Sequence, residues 1–288
     1  MTEPRTLTLE TPGAALAYDI RDAEEETAEP PLLLIGLPMD ASGFATLAGH
    51  FPDRTVVTYD PRGAARSKGT DDTGELTVNQ HADDLHRLVS GLGDGPVDIF
   101  GSSGGAVTSL ALVARYPEQV RTLVAHEPPS AQVLPDREEA LAATAGIRKT
   151  YERAGFGPAM AQFISLTMLN GPIPGDFIEQ PAPDPAAFGL PAEDDGSRDD
   201  PLFRTIVGTT HYEHDFEALR AAPTRIVIGA GAESEGEMAH RGALGVAQRL
   251  GMEPLIFPSH HGGFLGEESG YAGEPDAFAA KLREVVAG

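Results

Sequence analysis

Short apolar runs bounded by Gly, Pro or Asp alternate along the chain with longer stretches of helical periodicity. The runs are Thr6–Glu10, Ala15–Ile20, Leu32–Ile35, Thr55–Tyr59, Val97–Phe100, Thr122–Ala125, Arg225–Ile228 and Leu255–Phe257, and each reads as a buried strand. Helical spacing runs through Asn79–Leu92, Gly104–Tyr116, Glu237–Leu250 and Asp276–Val286; the second is apolar nearly all round and predicts a buried helix. The first two strands, joined by a short turn, predict a hairpin, and the acidic run Glu24–Glu26 before Pro30-Pro31 predicts a solvated hairpin loop. The later strands alternate with helices, which implies parallel pairing and right-handed crossovers. Ligands of such sheets bind at the carboxyl ends of the strands, so the polar residues just after strands are the candidates for chemistry.

One stretch breaks the alternation. About a hundred residues separate the strand at Thr122–Ala125 from the one at Arg225–Ile228, far beyond an ordinary connection. Arg137–Ala154 and Phe156–Asn170 are helical in pattern, Pro, Gly and Asp crowd between Pro172 and Pro201, and another helix is expected within Asp199–Ala221. The excursion predicts a helical cap over residues 130–221, with residues 1–129 and 222–288 forming the core. Met160, Phe163, Leu166, Thr167 and Met168 have helical spacing there and suit either a pocket lining or the cap's own core.

Composition narrows the chemistry. The chain has 288 residues, no Cys and a formal net charge of −23. The absence of Cys excludes disulfides, thiolate metal sites and cysteine nucleophiles. So acidic a surface repels nucleic acid and anionic membranes, and it disfavours anionic ligands. No spanning segment and no signal peptide is read, so a cytoplasmic location is expected. Self-association is left open.

The strand Val97–Phe100 runs into Gly101-Ser102-Ser103-Gly104-Gly105 and then a helix, the pattern G-x-S-x-G centred on Ser103. A turn this sharp strains the serine backbone and leaves no room for side chains two residues either side. It exposes the Ser103 hydroxyl and puts the Gly104 amide at a helix N-terminus, ready for an oxyanion. No G-x-G-x-x-G or phosphate-loop fingerprint occupies this turn. Ser102 is the rival nucleophile. A base must come from the nine histidines. His260 and His261 follow the last strand; His240 lies in a helical pattern and is expected at the surface. His211 and His214 with Asp215 lack a third ligand, so neither a metal nor a cofactor is expected. His50, His81 and His86 are expected on helices away from the chemistry. A carboxylate is needed on the histidine's other nitrogen, and two strand ends offer one: Glu127, stiffened by Pro128-Pro129, and Glu233 in an acidic loop.

With Leu32–Pro38 and the elbow, the chain resembles the α/β-hydrolase family along essentially its whole length. The resemblance implies a mostly parallel eight-stranded sheet flanked by helices, with a cap after the sixth strand. It makes the Leu37 amide the second oxyanion donor, although Ile35-Gly36 stands where the family has His-Gly. It favours His261, directly before Gly262-Gly263-Phe264, over His260. Tyr59–Gly63, with Arg66-Ser67, resembles the family's loop after the fourth strand and is read as a structural turn anchored by Asp60 and Arg62. The usual place for the family's acid is Glu233. GSSGGA followed one strand later by AHEPP, however, resembles the lactone-hydrolysing branch that includes zearalenone lactonase, where the matching acid is Glu127. The expectation is a cofactor-free serine hydrolase for an apolar ester or lactone, using Ser103, His261 and Glu127. Carbon–carbon bond hydrolases, haloperoxidase-like esterases and non-catalytic ligand-binding members share these residues and remain open.

Overall fold

The computed structural model describes residues 3–69, 76–93, 95–191, 193–267 and 270–287. In chain order the elements are β1 (Arg5–Thr11), β2 (Ala14–Arg21), β3 (Leu32–Ile35), α1 (Ala45–Gly49), β4 (Val56–Tyr59), β5 (Lys68–Gly69), α2 (Val78–Leu92), β6 (Val97–Ser102), α3 (Gly104–Arg115) and β7 (Val120–His126). Four helices follow: α4 (Arg137–Ala154), α5 (Phe156–Thr167), α6 (Pro201–Thr210) and α7 (Phe216–Ala221). The chain then completes the sheet with β8 (Arg225–Gly231), α8 (Met238–Leu250), β9 (Leu255–Phe257) and α9 (Pro275–Val286).

The sheet order is β1-β2-β4-β3-β6-β7-β8-β9, with β5 added on β2. Strands β1, β2, β4 and β5 pair antiparallel, and every pairing from β4 across to β9 is parallel. The eight expected strands are all present, and the two-residue β5 is an addition too short for a periodicity to reveal. Because β4 inserts between β2 and β3, the loop carrying Glu24–Glu26 is not a hairpin, although it is exposed as expected.

Apolar side chains fill both faces of the sheet. On one face, Leu33, Ile35, Val57, Ile99, Leu123 and Ile228 pack with α2, α3 and α8; on the other, Leu34, Phe100, Val124 and Phe257 pack with α1 and α9. Helix α3 is buried at every position from Gly104 to Val113, so it is anchored along its length and fixes the turn before it. A third apolar cluster joins Ala140, Ile147 and Tyr151 of α4 to Ala159 and Leu166 of α5 and Phe203 and Ile206 of α6. The helices after the sixth long strand therefore carry their own small core. Leu166 is buried in it, Met160 and Phe163 pack against it, and Met168 is 71% exposed.

Buried ion pairs tie the sheet ends together. Asp98, fully buried at the start of β6, accepts from Arg54 at 2.7 Å and from Arg121 at 2.6 Å. Asp60 accepts from the Ala41 and Arg66 amides and from the Arg66 guanidinium, while Arg62 forms a two-pronged pair with Asp84. Asp60 and Arg62 are thus structural anchors, as the sequence reading held. A cavity of about 450 Å³ beside this turn is lined by Asp19, Arg21, Phe44, Val56 and Arg66, among others, and contains none of Ser103, Glu127 or His261. Among the described residues, no helix is long and apolar enough to cross a membrane.

Candidate active site

Ser103 sits between the last residue of β6 and the first of α3 with φ 55° and ψ −124°, a conformation that costs an L-residue of order 1–3 kcal/mol. The surroundings enforce it. A Cβ at Gly101 would lie 2.8 Å from Ser109 Oγ, and one at Gly105 would lie 2.2 Å from the Ile35 carbonyl oxygen. Both glycines of the motif are therefore required by contact. Ser102 is buried inside the strand, while Ser103 is partly exposed, which separates the two candidates.

The loop after β3 packs on the start of α3 so closely that a Cβ at Gly104 would lie 2.5 Å from the Leu37 carbonyl oxygen. Among the described residues, neither the Leu37 nor the Gly104 amide donates to a protein acceptor. Thr209 of α6 reaches the same spot, its methyl carbon 3.2 Å from that Cβ position. The helices inserted after β7 thus extend over the elbow.

Glu127 follows β7 with φ 47° and is completely buried. Its backbone N–H donates to the Gly229 carbonyl (3.0 Å), and its two carboxylate oxygens are divided. Oε2 pairs with His261 Nδ1 at 2.6 Å; Oε1 accepts from the Gly231 amide at 2.8 Å and from the Ser234 hydroxyl. His240 Nδ1 stands 3.4 Å from Oε1, a charge contact too poorly aligned for a hydrogen bond. Burial alone would raise the Glu127 pKa, but the neighbouring His240, His261 and His126 outweigh it and hold the carboxyl well below the usual carboxylate range.

Glu233, the alternative acid, is exposed and accepts from the Ser259 hydroxyl at 3.3 Å, bracing the loop that carries the histidines. His260 turns away from Glu127: its ring stacks on Tyr271 at 4.1 Å, and its Nδ1 accepts from the Gly262 amide at 3.0 Å. The structure therefore brings His261 and Glu127 together and keeps His260 and Glu233 apart from that pair. Among the described residues, no hydrogen bond joins Ser103 Oγ to His261. The elbow and the pair are linked through β7, since the Ser103 amide donates to the His126 carbonyl at 2.9 Å and the His126 ring lies 6.3 Å from that of His261.

Three neighbours of Glu127 escaped the sequence reading. His240 is buried against the carboxylate, not at the surface; its apolar stripe with Ala243, Ala247 and Leu250 on α8 was the available signal. Ser234 had none. His126 is fully buried among Phe100, Phe257 and Phe278, with both ring nitrogens unpaired, and burial pushes its pKa down to about 4. His211 and His214 bond separately to Thr144 and Ser130, and among the described residues no three His, Cys, Asp or Glu side chains form a group able to hold a metal ion.

A parallel sheet with a strained serine at the strand-to-helix turn, and a histidine–glutamate pair on later strand ends, defines a class of architecture. The α/β hydrolase fold family matches residues 30–229, and the chain belongs to it. It is similar to the uncharacterized hydrolase YraK of Bacillus subtilis, 31% identical over 265 residues, which is 89% of each chain. Among solved structures, the enol-lactonase from Burkholderia xenovorans superposes with a TM-score of 0.67 at 18% identity, over 98% of this chain and 100% of that one. A thermophilic esterase from Thermogutta terrifontis superposes with a TM-score of 0.66 at 19% identity, over 99% of both.

Proposed function

We propose that the chain is a serine hydrolase that cleaves a carboxylic ester or lactone of an uncharged, apolar small molecule. The observation that carries this reading is the 2.6 Å contact between His261 Nδ1 and a buried, ionised Glu127, at the end of the strand paired with the one that leads into the strained Ser103. Glu127 fixes the proton on Nδ1, so Nε2 presents a lone pair. Closure on substrate brings Ser103 Oγ to that nitrogen, since such hydrogen bonds tighten in the substrate complex. Ser103 attacks the carbonyl as its proton passes to His261; the amides of Leu37 and Gly104 receive the oxyanion. The imidazolium then protonates the leaving alkoxide, which in a lactone stays tethered to the acyl group. Water, deprotonated by His261, releases the acid and restores the serine.

The ester or lactone class is supported by the GSSGGA and AHEPP segments and by the enol-lactonase and esterase among the structural neighbours. The preference for an uncharged substrate rests on the net charge of −23. In this reading the segment 130–221 is the lid, with Thr209 at its contact with the elbow. The test is labelling by a fluorophosphonate probe together with a panel of nitrophenyl esters and macrolactones. Wild type should label and turn over while Ser103→Ala does neither; turnover by Ser103→Ala would overturn the proposal.

A further inference from the structure

We propose that Ser234 and His240 are positioning residues for the acid, confining Glu127 at Oε1 so that Oε2 faces His261, and that a charge on His240 competes with His261 for the carboxylate. The inference rests on the Ser103–His261–Glu127 reading and adds two residues to it.

The geometry shows a carboxylate with a holding end and a working end. The holding end, Oε1, receives the Gly231 amide and the Ser234 hydroxyl, both from the end of β8 and the loop after it, and stands 3.4 Å from His240 on α8. Among the described residues, the working end, Oε2, pairs with His261 alone. Ser234 is fully buried and His240 is 6% exposed, so water competes little for either contact. Charged and titratable groups within electrostatic reach of His240 are Glu127 and His126 from β7 and its end, and Glu235 and Glu237 from the loop entering α8. Contact with Glu127 outweighs burial and raises the His240 pKa.

A charge on His240 lies on the far side of the same carboxylate and competes with His261 for its field. The kcat/KM pH profile should therefore depend on whether residue 240 can carry a proton.

The experiment compares the kcat/KM pH profile of wild type, His240→Gln, His240→Phe and Ser234→Ala on one activated ester, with competent sites counted by fluorophosphonate titration. His240→Gln keeps a donor but cannot titrate; its profile should differ in shape from that of wild type. His240→Phe should show the same profile shape at lower kcat. Ser234→Ala should lose kcat by about tenfold or more with little change in KM, the size of one hydrogen bond to a charged group. A His240→Gln profile that superimposes on wild type after scaling overturns the proposal. Failure of the underlying reading looks different: Ser103→Ala would still turn over, or Glu127→Gln would be silent.

Discussion

Glu127→Gln changes one atom at the centre of the site, and the structure dictates where that atom must go. Oε1 accepts from the Gly231 amide at 2.8 Å, a group that can only donate, so an NH2 group placed there would meet it donor to donor; the Ser234 hydroxyl donates to the same oxygen. The amide oxygen must keep that position. The NH2 group then occupies the place of Oε2, 2.6 Å from His261 Nδ1, and can only donate. Nδ1 is forced to accept, the ring proton moves to Nε2, and the histidine offers Ser103 an N–H in place of a lone pair. Both the tautomer and the charge that stabilises the imidazolium are lost. The expected fall in kcat is about 10³–10⁴-fold, or ~4–5 kcal/mol in the barrier.

The control is Glu233→Gln, which alters an exposed carboxylate that accepts from the Ser259 hydroxyl and should leave kcat within about twofold of wild type, as surface substitutions do. Both variants are assayed on one activated ester at a pH on the plateau of the wild-type profile, with circular dichroism to check folding. Retention of a tenth or more of wild-type kcat by Glu127→Gln, or collapse of Glu233→Gln alone, would refute the assignment of the acid.

Other expectations follow from contacts away from the carboxylate. Gly105→Ala would put a methyl 2.2 Å from the Ile35 carbonyl, so it should lose about 1–3 kcal/mol or more and express poorly, read by soluble yield and thermal melting. Asp98→Asn removes the charge between Arg54 and Arg121 at the end of β6 remote from Ser103; Arg54 is 3% exposed, so urea unfolding should show a loss of about 3–5 kcal/mol with kcat/KM of the folded enzyme unchanged. Burial holds His81, His126 and His214 at pKa values of about 3, 4 and 4, below the 6.5 expected of an exposed ring, so the unfolded chain binds more protons as pH falls through this window. Stability should therefore drop from pH 6.5 towards pH 4, by roughly 3 kcal/mol from His126 alone, and below the ordinary glutamate value of 4.5 the depressed carboxyl of Glu127 adds to the loss, because the unfolded chain takes up a proton there that the folded one does not. Urea midpoints at stepped pH check this, and His81→Leu should flatten the slope without touching turnover.

What was legible in the sequence is what short-range sterics encode. The elbow could be read because the two glycines that relieve the collisions around Ser103 lie two residues either side of it. The helices after β7 were readable because each carries an apolar stripe of its own, even though the core they share is assembled from Ala140 to Ile206. Strand order was not legible: it places β4 beside β2, and so makes the Glu24–Glu26 loop a crossing and not a hairpin. The donors that define Glu127 were hidden for a related reason. Gly231 and Ser234 lie 104 and 107 residues further along, and only the pairing of β7 with β8 brings them to it. His240 was misread because a histidine on a helix looks polar until the carboxylate facing it is known.

That pairing also explains how Glu127, at the end of β7, can serve as the proposed acid although the family resemblance puts the usual acid after β8. The two strands are parallel neighbours, with His126 opposite Gly229, so their ends open onto the same space. From β7, though, the carboxylate must reach past the end of β8 to the histidine loop after β9. Two features make the reach possible. Glutamate is one methylene longer than aspartate, and its positive φ turns the chain at the strand end. The end of β8, in turn, carries no side chain in the way: a Cβ at Gly231 would lie 2.7 Å from Ser234 Oγ and 2.9 Å from the Ser259 carbonyl oxygen. Glycine leaves that volume open and turns its amide toward Oε1. In the proposed mechanism the β8 loop holds the acid in place of carrying it, which is why Glu233 can be exposed while Gly231 and Ser234 close around a carboxylate from the neighbouring strand.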